Sequence, residues 1–179
     1  MRTVSSSLLR PLIHREWARH VARVNDLPES ELEHHLFGRP RVATTRVLEH
    51  LTALQDDRCF YCDARMLAPG HVDHFIPWAR HPENAIQNLV VADARCNLQK
   101  RDFLAARDHL AAWTARLSQR APDLAAIAAD ARWETAHTRA LGVARALYFQ
   151  LRDDSLLWHA ASGLDTADPA GLRSLLDAA

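Results

Sequence analysis

Three cysteines constrain this chain more than any other feature. Cys59 and Cys62 form a C-x-x-C pair, and Cys96 stands alone further on. An odd count is a poor disulfide framework, so the pair points to a metal knuckle or a redox couple. A thioredoxin-like couple needs a βαβ context, and none surrounds these residues. A knuckle needs four donors. Cys96 supplies a third. Asp93, three residues earlier and on the same face of an expected helix, is a candidate fourth for zinc. His71, His81 or a water are its rivals. Asp93 also suits a plainer task, because aspartate caps helices well.

The rest of the chain sets the frame for that knuckle. Its 179 residues suffice for one compact domain, or for a small module wrapped by accessory helices. With 48% hydrophobic and 25% charged residues, neither a disordered nor a collagen-like chain fits. No run approaches the roughly 18 apolar residues of a membrane span, and the N-terminus lacks a signal-peptide core, so the expectation is a cytoplasmic protein without a membrane partner. Lys plus Arg equals Asp plus Glu at 22 each. That balance excludes a broad polycationic surface but leaves room for a small active site on nucleic acid.

The pattern predicts three stretches. Residues 1–58 read as helical: Leu9, Ile13, Trp17, Val21 and Val24 keep helical spacing, a short helix fits 29–36, and a third fits 42–54 with Val47, Leu48, Leu51 and Leu54 inward. Residues 59–104 read as strand (71–76), long loop, strand (89–92) and helix (93–104). Residues 105–179 read as helical again. Leu110, Trp113 and Leu117 form one stripe, a helix from Pro122 runs on toward Leu151, and Asp168-Pro169 starts a last helix. The expected fold class is α+β, predominantly α, with a small ββα core embedded in flanking helices.

Within 59–104 lie Cys59-Phe-Tyr-Cys62, His71-Val-Asp73-His74-Phe-Ile-Pro77, Asn84-Ala-Ile-Gln-Asn88, and Cys96-Asn97-Leu-Gln-Lys100. The D-H-x-x-P turn, an Asn 14 residues after its His, and a C-N-x-x-K helix another turn of chain later resemble the HNH endonucleases, whose fold is the ββα-metal finger. The resemblance covers about a quarter of the chain. It implies phosphodiester hydrolysis with His74 as general base. It further implies one Mg²⁺ (or Mn²⁺) held by Asp73 and Asn97, with Asn88 bonding backbone across the loop to hold His74. Elementary chemistry agrees in kind: an imidazole titrates near neutrality, and a carboxylate with an amide oxygen suits a hard cation. Many such proteins close their zinc knuckle with a second C-x-x-C, and here Asp93 stands where its first Cys would be.

Lys100, one helical turn after Asn97, joins the catalytic set as a candidate phosphate contact, and Arg101 competes for that role. Arg15, Arg19 and Arg23 share one face of the first helix and read as a solvated surface. Trp17, Trp113, Trp133 and Trp158 read as core anchors. The expected partner is nucleic acid, with double-stranded DNA first. A non-catalytic zinc module, or a nuclease aimed at RNA or acting as a toxin, are the alternatives.

Overall fold

The computed structural model describes residues 44–179. The helices expected over 9–24 and 29–36, with Trp17, Arg15, Arg19 and Arg23, lie outside the described residues. Six α-helices and two two-stranded antiparallel sheets make up the rest, an α+β arrangement dominated by helix.

Helix α1 (Thr45–Leu54) buries Val47 and Leu51, one turn apart, as its spacing predicts. Strand β1 (His71–His74) pairs with β2 (Leu89–Ala92), His71 opposite Ala92 and His74 opposite Leu89. All four residues of β2 are buried, which accounts for its unbroken Leu-Val-Val-Ala. The approach to β1 is close: a Cβ on Gly70 would lie 2.4 Å from Val91 Cγ1, so only glycine fits without a shift. Helix α2 (Ala94–Lys100) then packs on β1. It is shorter than the expected 93–104. Arg101 turns to φ 50° and ends it, and residues 104–106 run beside Trp158, exchanging bonds of 2.8 Å (Trp158 N to Leu104 O) and 2.7 Å (Ala106 N to Trp158 O).

Helix α3 (Arg107–Gln119) buries Leu110, Trp113 and Leu117, the expected stripe. Helix α4 (Ala121–Ala131) carries Pro122 in its first turn. The expected continuation to Leu151 does not occur. Arg132 takes a left-handed conformation, residues 132–136 form a strap, and α5 (His137–Tyr148) starts afresh. The strap breaks the helix because its polar groups serve the β1–β2 loop: Glu134 O accepts from Ile86 N (2.9 Å), and Ala136 N donates to Gln87 Oε1 (2.9 Å).

A second correction follows α5. Where helix was expected, β3 (Leu156–His159) and β4 (Gly163–Thr166) form a hairpin. Four-residue strands are too short to display a period. The available signals were Gly163, at φ 86° beside the turn, and the apolar Leu156-Leu157-Trp158. Helix α6 (Pro169–Asp177) starts as predicted, with Asp168 accepting from Gly171 N at 3.1 Å. One hydrophobic core runs from Val47 in α1 through β2, Phe75 and Trp113 to Leu176 in α6, and the rings of Phe75 and Trp113 stack at 4.7 Å. No helix among the described residues is long and apolar enough to cross a membrane.

The hairpin covers His109 of α3. Its ring stacks on Trp158 and His159, and its Nε2 accepts from Ala160 N at 3.1 Å. Burial, helped by His159, pushes the ring's pKa down from 6.5 to about 4. The folded protein thus holds His109 neutral where the unfolded chain would protonate it, so its contribution is full above about 6.5 and is lost as pH falls toward 4. Thermal melts between those values should show a shallower pH dependence for His109→Phe than for the unsubstituted protein. Parallel curves would assign the acid sensitivity to other groups.

Candidate active site and metal centre

The cysteine cluster assembles as the sequence suggests. One ligand atom each from Cys59, Cys62, Asp93 and Cys96 lies within 4.8 Å of the others. Tetrahedral zinc with sulfur at about 2.3 Å separates its donors by about 3.8 Å, so the set fits such an ion. His71 and His81 are not part of it. The two oxygens of Asp93 make different contacts. Its Oδ1 caps α2 by accepting from Cys96 N at 2.8 Å, while its Oδ2 faces Cys62 Sγ at 3.1 Å. Burial opposes its charge, yet hydrogen bonds from Cys96 N and the thiols hold the carboxyl well below the usual carboxylate range. Burial pushes the Cys59 and Cys96 thiols up, and the charge on Cys59 adds to this at Cys96. A cation among them would stabilise the thiolates.

The second cluster sits at the end of β1. Asp73 Oδ2 accepts from Tyr61 OH at 2.6 Å and pairs with Lys100 Nζ at 3.0 Å. Lys100 also donates to His74 O at 2.8 Å, and its side chain has no exposure. This corrects the expectation for Lys100. Its ammonium is turned inward onto Asp73 and the β1 backbone rather than outward to a phosphate, and burial lowers its pKa despite Asp73. The same two bonds tie the α2 face that carries Asn97 to Asp73 and His74. Asn97, one turn before Lys100, is half-buried, and its side-chain amide has no hydrogen bond among the described residues. Arg101 is exposed just past the helix end.

The His74 ring hydrogen-bonds Asn84 Oδ1 at 2.9 Å and lies 5.1 Å from the ring of Trp78. Burial lowers the His74 pKa, and the Asn84 bond offsets only part of that. Asn88, 1% exposed, locks the loop: its Oδ1 accepts from Ile76 N (2.8 Å), and its Nδ2 donates to Ile76 O and Glu83 O (both 3.1 Å).

Sequence reasoning missed the residues that brace this loop from outside. Trp113 Nε1 and Arg116 both donate to Gln87 O at 2.9 Å, and Arg116 donates also to Leu89 O at 2.8 Å. Trp133 Nε1 donates to Asn84 O at 2.6 Å. Buried Glu83 pairs with Arg139, whose hydrogen bonds overcome the cost of burial and hold the Glu83 pKa low. Sequence alone marks Trp113 and Trp133 as core anchors. Their indole N–H groups were the unused signal, since a buried indole needs an acceptor. Tyr61, inside the C-x-x-C pair, gave no local sign of reaching Asp73.

Residues 59–106 match a family model described as HNH endonuclease, well under half of the chain. No curated protein and no solved structure matches the chain.

The Asn88 side chain makes three hydrogen bonds to the loop backbone. Asn88→Ala would leave two carbonyls and one N–H of the buried loop without partners. At about 1–3 kcal/mol for each unsatisfied buried group, chemical denaturation should register a loss of about 3 kcal/mol or more. A loss under about 1 kcal/mol would mean that water replaces the amide.

Proposed function

We propose, from the premise that residues 59–106 form an HNH endonuclease segment, that the protein is a metal-dependent endonuclease hydrolysing phosphodiester bonds, with double-stranded DNA as its first substrate class. The carrying observation is the pair of bonds from Lys100 to Asp73 and to His74 O, which bring the Asn97 face of α2 against the end of β1.

His74 accepts the proton of the attacking water, and its burial keeps the ring neutral and ready to do so. Asp73 offers a carboxylate oyxgen and Asn97 an amide oxygen to one hard divalent ion. Tyr61 and Lys100 occupy only Oδ2 of Asp73, so its other oxygen remains for that ion. When bound there, Mg²⁺ or Mn²⁺ supplies charge neutralisation on the phosphoryl group and on the departing oxygen. Asn88 keeps the loop that follows β1 in place, and exposed Arg101 is the phosphate contact. Cys59, Cys62, Cys96 and Asp93 hold a separate, structural zinc. A cytoplasmic setting, where thiols stay reduced, suits that site. The cysteine cluster alone would serve a non-catalytic zinc module equally well. The Asp73, His74 and Asn97 set, which such a module has no use for, favours the enzyme.

Plasmid DNA and RNA incubated side by side with Mg²⁺, Mn²⁺ or EDTA test this reading. DNA should be cut with either metal and spared with EDTA; RNA cut in preference would redirect the substrate class. His74→Ala should lose about 10²–10⁴-fold in rate while keeping fold and nucleic-acid binding. An undiminished rate in the folded variant would remove His74 from the mechanism.

The two oxygens of Asp93 separate the structural zinc from mere capping. Asp93→Ser keeps a capping oxygen but is a poor zinc ligand, whereas Asp93→Cys keeps a strong ligand. Elemental analysis after chelator competition should find zinc retained in the Cys variant and lost from the Ser variant. Zinc held equally by the Ser variant and the unsubstituted protein would exclude Asp93 as a ligand.

A further inference from the structure

The hydrogen bond on the His74 ring carries an inference that rests on, and deepens, the proposed role of His74. A carbonyl oxygen can only accept, so with Asn84 Oδ1 turned to the ring, the nitrogen facing it is the one that carries a hydrogen. That nitrogen is Nε2, at 2.9 Å. A neutral imidazole has one N–H, which leaves the lone pair on Nδ1. No other described side chain hydrogen-bonds this ring.

The backbone at and around Asn84 is held from several sides. The Asn84 carbonyl accepts from Trp133 Nε1 at 2.6 Å. On one side of it, Glu83 O accepts from Asn88, and the Glu83 carboxylate is paired with Arg139 and accepts from Ala85 N at 3.0 Å. On the other side, Ile86 N donates to Glu134 O. Trp133, Glu134 and Arg139 belong to the strap and α5, outside the segment 59–106 that matches the family model. The ring orientation therefore depends on a part of the chain that the motif does not contain.

We propose that Asn84 is the positioning residue of His74, fixing the tautomer with hydrogen on Nε2 and making Nδ1 the basic atom, and that Trp133 holds Asn84 in place for this task. Trp133 acts through the backbone of residue 84, and Asn84 through its side-chain oxygen. Neither touches the reacting atoms.

Imidazole nitrogen resonances read the tautomer directly and need no turnover. In the full-length protein as purified, with ¹⁵N-labelled histidine and no added Mg²⁺, Nε2 of His74 should be pyrrole-like and Nδ1 pyridine-like, with His74→Gln giving the assignment. Asn84→Ala should convert this to a mixture of tautomers. It should also lower kcat about 10–100-fold with KM little changed, as loss of an orienting partner on a working histidine does. Asn84→Asp, which keeps an acceptor, should restore the tautomer and most of kcat. Trp133→Phe, which keeps a ring but loses the N–H, should shift both readouts part of the way toward Asn84→Ala.

The reverse tautomer in the unsubstituted protein would overturn the proposal, and that spectrum requires no variant to fold. A tautomer unmoved by Asn84→Ala would overturn the role of Asn84, and one unmoved by Trp133→Phe would overturn that of Trp133. The expected spectra without any cleavage of DNA or RNA would uphold the positioning and refute the nuclease reading instead.

Discussion

A loop that is buried must still satisfy its backbone polar groups, and this requirement at residues 75–88 organises the molecule. Water is kept from the two ends of this segment, 75–77 and most of 83–88, so protein donors and acceptors replace it there. Asn88 answers from within the loop, bonding Ile76 twice and Glu83 once. The rest comes from outside: Trp113 and Arg116 from α3, Trp133 and Glu134 from the strap, and Arg139 from α5. The flanking helices thus do more than cover a hydrophobic face. Arg116 carries a cost for this service. Among the described residues its guanidinium is buried among carbonyls without a carboxylate partner and its Nε is unsatisfied, and burial draws its pKa down to about 10, still high enough to remain charged at neutral pH.

The two polar clusters are joined through short stretches of chain. Tyr61 lies between the knuckle cysteines and reaches Asp73, while Lys100 lies one turn beyond Cys96 and Asn97 and reaches the same carboxylate. Displacement of the knuckle would be felt at Asp73 from two directions at once. Tyr61 adds to this by packing edge-on against His109 and Trp158, so the hairpin also bears on the carboxylate. Burial and the neighbouring Asp73 charge push the phenol of Tyr61 well above its ordinary value, which keeps it a donor.

Legibility in the sequence followed the range of the interaction. The ββα order, the buried β2 and the cysteine set were readable because each rests on spacing within a few residues or on a motif of fixed order. Asp93 was legible as a cap or a candidate ligand, but its division of labour, Oδ1 on Cys96 N and Oδ2 toward Cys62 Sγ, was not. The break after Ala131 was not readable, because the groups that recruit the strap lie about 45 residues earlier in the chain. Lys100 reads locally as a surface cation because its helical position is local information, and the carboxylate that draws it inward is on strand β1. Asn84 stood inside the quoted motif, yet nothing in its neighbours pointed to the ring 10 residues before it.

The placement of the braces has a consequence for the order of synthesis. Residues 59–106 leave the ribosome ahead of Trp113, Trp133 and Arg139. The emerging finger can pair its strands and gather its cysteines, but the carbonyls of Asn84 and Gln87 still lack the donors that later occupy them. Completion of the site waits on the C-terminal helices. Under the proposed nuclease reading, that delay would make the nascent polypeptide a poorer catalyst than the finished one, without any inhibitor being required.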